Sequence, residues 1–203
     1  MGYANENLFR RYPNEIAKAY GVGVHRFTHD RQVRAIKDLL EVAKSHGPVV
    51  KVLDCPCGSG RISAQLANCE LTCADRSEAR IAKARQNLPA TVSFETCDGF
   101  KMPFQDGSFD ATLTILLLQR IPKADVGALL KEVARVTRRW AIVTYSSTYS
   151  AVSVARKITA APDNTLTQRE FNAKAVAAGL TFRARRRVLP GLAATVSVLL
   201  EKK

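Results

Sequence analysis

The sequence predicts an α/β domain: a mostly parallel seven-stranded sheet with helices on both faces, an antiparallel C-terminal hairpin and an N-terminal helical cap. Three observations lead there. Apolar, strand-like runs alternate with helix-like segments from about residue 49 onward. FDATLTILL, residues 109–117, is apolar almost throughout, as a central parallel strand covered on both faces has to be. The last two strand-like runs are joined by Pro190-Gly191, a turn short enough to make them antiparallel neighbours.

The elements follow in order. VVKVLD, Val49 to Asp54, is entered from Gly47-Pro48 and left through the glycine-bearing turn CGSGR. A helix is expected over Ile62 to Ala67, a strand over Glu70 to Ala74, and a helix over Ser77 to Asn87, with Ser77 as N-cap and Leu88-Pro89 as its stop. TVSFET, residues 91–96, gives the third strand, and FDATLTILL the fourth. Ala124 to Val136 reads as a helix, WAIVTYS (140–146) as the fifth strand, and 147–165 as a looser stretch. In TQREFNAKAVAAGL, Thr167 is placed as N-cap, Glu170 completes a capping box and Gly179 ends the helix. Thr181 to Leu189 and Ala193 to Glu201 form the hairpin. Ahead of Val49, residues 6–20 and 30–45 have helical spacing, with GVGVHRFTH between them, and read as a helical cap over one end of the sheet. The chain is thus expected to be a single domain, 1–203, with a cap over 1–47 and a core over 48–203.

Composition narrows the class. With 203 residues and 46% hydrophobic content, the chain suffices for one packed core and is not of disordered composition. No apolar run approaches a membrane span, and MGYANENLFRR has no apolar core of a secretory signal, so a cytoplasmic location is expected. Five cysteines, an odd number, lie between Cys55 and Cys97, which argues for reduced thiols rather than a disulfide framework. The net charge is +13, of which residues 101–203 carry +10; such a surplus attracts anionic partners without choosing among them.

The chemistry concentrates at VLDCPCGSGR, where a strand ends in an acid and a glycine pair follows. In open α/β sheets the crevice lies beyond the carboxyl ends of the strands, and glycines let a ligand approach the backbone. A phosphate-binding P-loop is excluded, because no glycine here is followed by Lys and then Ser or Thr. A dinucleotide fingerprint fits poorly: Gly58 and Gly60 match its first two glycines, but the third position is Ser63. Asp54, Asp75 and Asp98 close three successive strands. Singly they read as a turn acid, a helix cap and a turn residue; together, beside a glycine loop, they read as a cofactor site.

VLDCPCGSG resembles motif I of the class I S-adenosylmethionine-dependent methyltransferases, (V/L)LD(L/V)GCGTG, departing from it at Cys55 and Pro56. Asp75 stands 21 residues after Asp54. In that family an acid there binds both ribose hydroxyls, as a two-oxygen carboxylate can. CDGFKMPF resembles GDAxxLPF, whose Asp binds the adenine amino group, and MPFQDGSFDATLTILLLQRI resembles the methyltransferase-11 type over its strand and the residues before it. The likeness covers residues 49–145. It implies a Rossmann-like fold, S-adenosylmethionine as cofactor with S-adenosylhomocysteine as product, and a binding set of Asp54, Cys55, Cys57, Gly58, Ser59, Gly60, Asp75, Arg76, Asp98, Gly99, Phe100, Thr114 and Ile115. Arg31 is added because some members pair an arginine in the preceding helix with the methionine carboxylate, although Arg31, Arg34 and Lys37 also suit a solvated helix face. Tyr12 and Tyr20 are further residues that would close over the cofactor.

The catalytic residues stay unassigned. His25 and His29 sit in the cap as candidate bases, imidazole being the side chain suited to moving a proton at neutral pH, and Tyr145 and Tyr149 flank the loop after the fifth strand with Arg156 and Lys157. Family members often carry His-His where Gln119-Arg120 stands here. Methyl transfer is a direct displacement that alignment and exclusion of water accelerate, so a dedicated base is optional. No metal is expected: Cys55 and Cys57, and Cys69 and Cys73, have no histidine near them in sequence to complete a site. The acceptor is expected to be a small or lipid-linked molecule, since the chain has no separate recognition domain. RNA methylation is the second reading, supported by RARRR at Arg183 to Arg187; alternating arginines on a strand near the sheet edge also prevent aggregation. A cofactor-binding scaffold without activity is the third.

Overall fold

The computed structural model describes residues 28–66, 69–148, 164–188 and 195–203. Within them a helix over 28–44 (α1) precedes β1 (Lys51–Asp54), β2 (Glu70–Asp75), α2 (Glu78–Asn87), β3 (Ser93–Thr96), β4 (Phe109–Thr114), α3 (Val126–Val136), β5 (Thr137–Ser146), α4 (Gln168–Ala177), β6 (Leu180–Arg187) and β7 (Thr195–Lys202). The strands form one sheet in the order β3-β2-β1-β4-β5-β7-β6. The first five run parallel, and β7 pairs antiparallel with β5 on one side and β6 on the other. This is the seven-stranded, Rossmann-like architecture expected from the sequence.

Strand alternation distributes the core over two faces. Leu53, Ala74, Ala141, Val143, Val198 and Leu200 pack with α3 and α4, the latter through Phe171 and Ala175. Val52, Cys73, Leu113, Ile142 and Leu199 pack on the other face with Ile36, Leu39 and Ala43 of α1 and Ile81 and Ala84 of α2. α3 places Leu129, Leu130, Val133 and Ala134 on one side at helical spacing, which is why it lies flat on the sheet. α4 starts in the capping box read from sequence: Thr167 Oγ1 accepts from Glu170 N at 3.1 Å and Thr167 N donates to Glu170 Oε2 at 2.7 Å.

Four local expectations are corrected. The helix over Ile62 to Ala67 is a single 3-10 turn, Ser63–Gln65, because the chain turns extended at Leu66, too soon for a helix to propagate. β4 stops at Thr114 rather than continuing through the apolar run, since Leu116 takes a left-handed φ of 58°. Ser77 is the N-cap of α2, but its side chain makes no cap bond. Finally, α1 lies on a face of the sheet and not over its end. Lys37 Nζ donates to Gln65 Oε1 at 3.4 Å, while the ring of His46, just beyond the helix, meets Trp140 edge-on at 5.6 Å. The helix therefore runs antiparallel to the strands, with its first turn at their carboxyl ends. The predicted helix over 6–20 lies outside the described residues.

Candidate functional site

The sheet changes winding direction at β1: β2 and β3 follow on one side, β4 and β5 on the other. Such a switch point opens a crevice above the carboxyl ends of the strands. The chain leaves β1 tied to both neighbours, with Cys55 N donating to Leu113 O at 2.9 Å and Cys57 N donating to Ala74 O at 2.8 Å. The Cys55-Pro56 peptide is cis. Gly58 and Gly60 then take φ of +59° and +79°, which L-residues adopt at a cost. Their surroundings differ. A Cβ on Gly60 would stand 2.8 Å from Leu88 Cδ1, so that glycine packs the loop onto the end of α2; a Cβ on Gly58 would meet nothing within 4 Å among the described residues. Asn87 Nδ2 donates to Ser59 O at 2.9 Å and holds the loop from below.

Three acids surround this loop in three distinct states. Asp75, 1% exposed at the end of β2, accepts from Gly58 N and Ser77 N at 3.0 Å each, one on each carboxylate oxygen, with Arg80 Nη1 3.9 Å away. Each oxygen keeps a lone pair for a further donor. Asp54, also 1% exposed, accepts from Ser63 Oγ at 2.5 Å on Oδ2, while its buried Oδ1 has no partner among the described residues. Burial pushes its carboxyl up to about 7, helped by the nearby Asp75 and opposed by Ser63. Asp98 is exposed; its Oδ1 accepts from Phe100 N at 3.0 Å in a tight turn that leaves Phe100 half-buried against the core.

The wall between β4 and β5 is made of Thr114, Ile115 and the turn after them. Thr114 is fully buried and its Oγ1 has no partner among the described residues. Leu116 N donates to Thr144 Oγ1 at 2.6 Å, which fixes its left-handed backbone. The 3-10 turn Leu118–Arg120 follows, with Asn164 Nδ2 donating to Gln119 O at 3.3 Å and Gln119 Oε1 buried without a partner among the described residues. Gly99, Cys55 and Leu117 come together nearby: a Cβ on Gly99 would lie 3.6 Å from Leu117 Cδ2 and 3.7 Å from Cys55 Sγ.

Cys55, Cys57, Cys73 and Cys97 lie around the base of the loop as thiols, while Cys69 precedes β2 at the other end of the sheet. Cys55 is pushed up by a hydrogen bond with Cys97 and by burial; the same bond pulls Cys97 down. Cys57 is raised by its bond with Cys73 and by burial. Among the described residues no group of three or more His, Cys, Asp or Glu is arranged to hold a metal ion.

The other sequence candidates scatter. Arg31 is exposed and His29 half-buried in the first turn of α1, at the carboxyl ends of the strands; His29 Nδ1 lies 3.3 Å from Asp30 Oδ1 and its buried Nε2 has no partner among the described residues. Arg76 is exposed beside Asp75. Tyr145 is a core residue, 2% exposed and stacked on Phe171 at 4.4 Å, because its position in β5 faces α4. His25, Tyr149, Tyr12, Tyr20, Arg156 and Lys157 lie outside the described residues. Sequence reasoning missed Ser63, whose one visible signal was its position just after the glycine pair, and Gln32, which is 5% exposed near the start of α1 with Nε2 unpartnered. A concavity of about 430 Å³ lined by Lys51, Glu70, Thr72, Ser93 and Phe109 sits at the amino ends of the strands, opposite the glycine loop.

Residues 52–139 match a family of methyltransferase domains. Among characterised relatives, the demethylmenaquinone methyltransferase of Beutenbergia cavernae is 36% identical over 93 residues, covering 45% of this chain and 38% of that protein. Methyltransferase GfsG of Streptomyces halstedii is 30% identical over 117 residues, covering 54% of this chain and 40% of that protein. The chain thus matches about two fifths of the length of each relative. Among solved structures, magnesium protoporphyrin IX methyltransferase from Synechocystis PCC 6803, with bound S-adenosylhomocysteine, superposes with a TM-score of 0.74 at 16% identity, over 88% of this chain and 85% of that one. An S-adenosylmethionine-dependent methyltransferase from Thermotoga maritima gives 0.71 at 20% identity, over 97% and 99%. Residues 52–139, which hold the glycine loop at the switch point and the acids that close the first three strands, are thus similar to a methyltransferase domain, and the sheet has the fold of the S-adenosylmethionine-dependent methyltransferases on which it superposes.

Proposed function

We propose that this chain binds S-adenosylmethionine above β1 and β2 and transfers its methyl group to a small-molecule or lipid-linked acceptor. The observation that carries the reading is the Gly58 amide bonded to the Asp75 carboxylate at the switch point. It locks the glycine loop to the acid and leaves the other side of Gly58 open. The residues fit the cofactor on their own geometry: an open cradle at Gly58, a buried orphan oxygen on Asp54, and free lone pairs on Asp75. S-adenosylmethionine supplies a methyl group on a sulfonium, which a nucleophile takes by direct displacement.

Each residue then has a task. Asp75 accepts from the ribose hydroxyls through the lone pairs that Gly58 and Ser77 leave unused. Asp98 accepts from the adenine amino group, with Gly99 and Phe100 against the ring. The backbone from Cys57 through Ser59 to Gly60 supports the amino-acid tail, toward which Arg31 brings a guanidinium suited to a carboxylate. Asp54 offers its unpaired Oδ1 to a positively charged neighbour. Cys55 packs beneath the loop, Arg76 lies at its rim, and Thr114 and Ile115 wall the crevice from the β4 side. Gln119 has no titratable proton, so this turn contributes alignment rather than base catalysis.

The acceptor class rests on the relatives, whose names and structures describe methylation of a quinone and of a porphyrin. The test is a pool experiment: incubate the protein with methyl-tritiated S-adenosylmethionine and cell extract, then separate small molecules, lipids, RNA and protein. Label is expected in the small-molecule or lipid pool. Label confined to RNA or protein overturns the acceptor class, and the absence of transfer to any pool overturns the activity.

A further inference from the structure

The proposed reaction leaves the far edge of the sheet unused. Among the described residues β6 is the last strand and pairs with β7, and its outer backbone edge meets no other strand. Arg183, Arg185, Arg186 and Arg187 are all exposed along it. Two carboxylates answer part of this charge. Glu201 takes Arg183 at 2.5 Å and Arg139 at 3.0 Å, and Asp38 takes Arg186 at 3.6 Å. Among the described residues the Arg185 guanidinium donates to the Gln168 amide oxygen, and neither Arg185 nor Arg187 has a carboxylate partner.

Register sorts these side chains by face. Phe182, Arg185 and Arg187 stand opposite Leu200, Val198 and Val196, all members of the core under α3 and α4, so the three share that face. Phe182 is 37% exposed, and a bulge between Phe182 and Ala184 keeps it in phase with the arginines after it. β6 runs in the same direction as β5, so Arg187 lies at the carboxyl end of the sheet, the end that carries the glycine loop.

We infer that the β6 edge, with Phe182, Arg185 and Arg187 on one face and Arg183 and Arg186 on the other, is a binding surface for single-stranded nucleic acid. The spread of charge decides the class of partner. From Arg183 to Arg187 the strand rises roughly 13 Å, too far for one small anion to neutralise but suited to a chain of phosphates. The exposed ring in the same row supplies a face on which a base stacks, the combination that sequence-tolerant single-strand binding uses. An edge charged only to block strand pairing has no use for an exposed phenylalanine among its arginines. The inference stands on this edge and not on the proposed methyl transfer.

The test uses the full chain with fluorescein-labelled oligouridylate and oligothymidylate of twelve nucleotides, titrated by anisotropy across a range of salt concentrations. Micromolar binding is expected at roughly 50 mM salt, weakening steeply as salt rises. R185S/R187S should bind at least tenfold more weakly, with a salt slope shallower by about 1.4, since each single-strand contact contributes about 0.7. Phe182→Ala should weaken binding about fivefold or more and leave the slope unchanged, because stacking releases no counterions. Binding of either strand with this pattern supports the inference, and comparing the two separates RNA from DNA. No binding by the wild type below about 100 μM at that salt, or an unchanged slope in R185S/R187S, overturns it. Calorimetry with S-adenosylhomocysteine on the same proteins keeps the two proposals apart: both variants should match the wild type there, and failure of the wild type to bind would count against the methyltransferase site alone.

Discussion

Alanine at Gly58 and alanine at Gly60 give opposite profiles if the loop does what its geometry implies. Both glycines have positive φ, +59° and +79°, so each alanine carries the left-handed penalty of about 1–2 kcal/mol. At Gly60 the new methyl stands 2.8 Å from Leu88 Cδ1 and 3.0 Å from its Cγ, against a side chain only 8% exposed, and overpacking of that kind adds about 1–3 kcal/mol. Gly60→Ala should therefore lose about 2–5 kcal/mol of stability, and Gly58→Ala about 1–2. Binding reverses the order. The Gly58 methyl enters the space left open on the cofactor side of the loop, and should cut S-adenosylhomocysteine affinity at least tenfold, about 1.4 kcal/mol. The Gly60 methyl points at α2, and folded Gly60→Ala should stay within about threefold of the wild type. Urea denaturation and titration calorimetry read the two effects. Equal destabilisation of both variants, with Gly58→Ala binding normally, would refute the assignment of the open side of Gly58 to the cofactor.

Other consequences follow from the same geometry. Asp75→Ala should weaken S-adenosylhomocysteine binding at least tenfold, about 1.4 kcal/mol, by calorimetry on protein shown by circular dichroism to be folded; unchanged affinity would remove Asp75 from the site. Asp54 has a pKa raised from 3.8 to about 7, so its native state holds a proton that the unfolded chain has released. Its contribution is therefore undiminished below about pH 4, falls by roughly 1.4 kcal/mol per pH unit as pH rises toward 7, and then levels. Denaturation of the ligand-free protein from pH 4 to 8 should show this slope in the wild type and its absence in Asp54→Asn; parallel curves would contradict it. Arg135 joins α3 to the segment before β4: its guanidinium donates to Met102 O, Phe104 O, Asp106 Oδ1 and both Glu132 oxygens, at 2.7–2.8 Å. Arg135→Lys, which keeps the charge but loses the fork, should cost about 1–3 kcal/mol and speed amide exchange at Gly107, with no such change if the contacts are incidental.

Much of the fold was legible because local and global signals agree. The apolar run at β4 and the capping box at Thr167 each depend on residues close in sequence. What escaped depends on distant partners. The run Ile115 to Leu118 is as apolar as a strand, yet the Thr144 hydroxyl from β5 captures Leu116 N and turns the chain out of the sheet. Ile62 and Ser63 begin as a helix would, but Ser63 is drawn to the buried Asp54 and the turn ends at Leu66. β5 begins at Thr137, immediately after α3 and three residues before the expected start at Trp140, without a turn residue to announce it; Arg138 and Arg139 are anchored by Asp110 and Glu201. The candidate site divides in the same way. The glycine loop and its three acids could be read from spacing, whereas the burial of Tyr145 and the orphan atoms of Gln32 and Gln119 required the packing of helices against the sheet.

A crystal structure of the protein grown with S-adenosylhomocysteine measures the main assignment directly. The ribose should hang from Asp75, the adenine should lie beside Asp98 and Phe100, and the amino-acid tail should rest on Gly58. Density for the nucleoside at any other place, or none at saturating concentration, would contradict it.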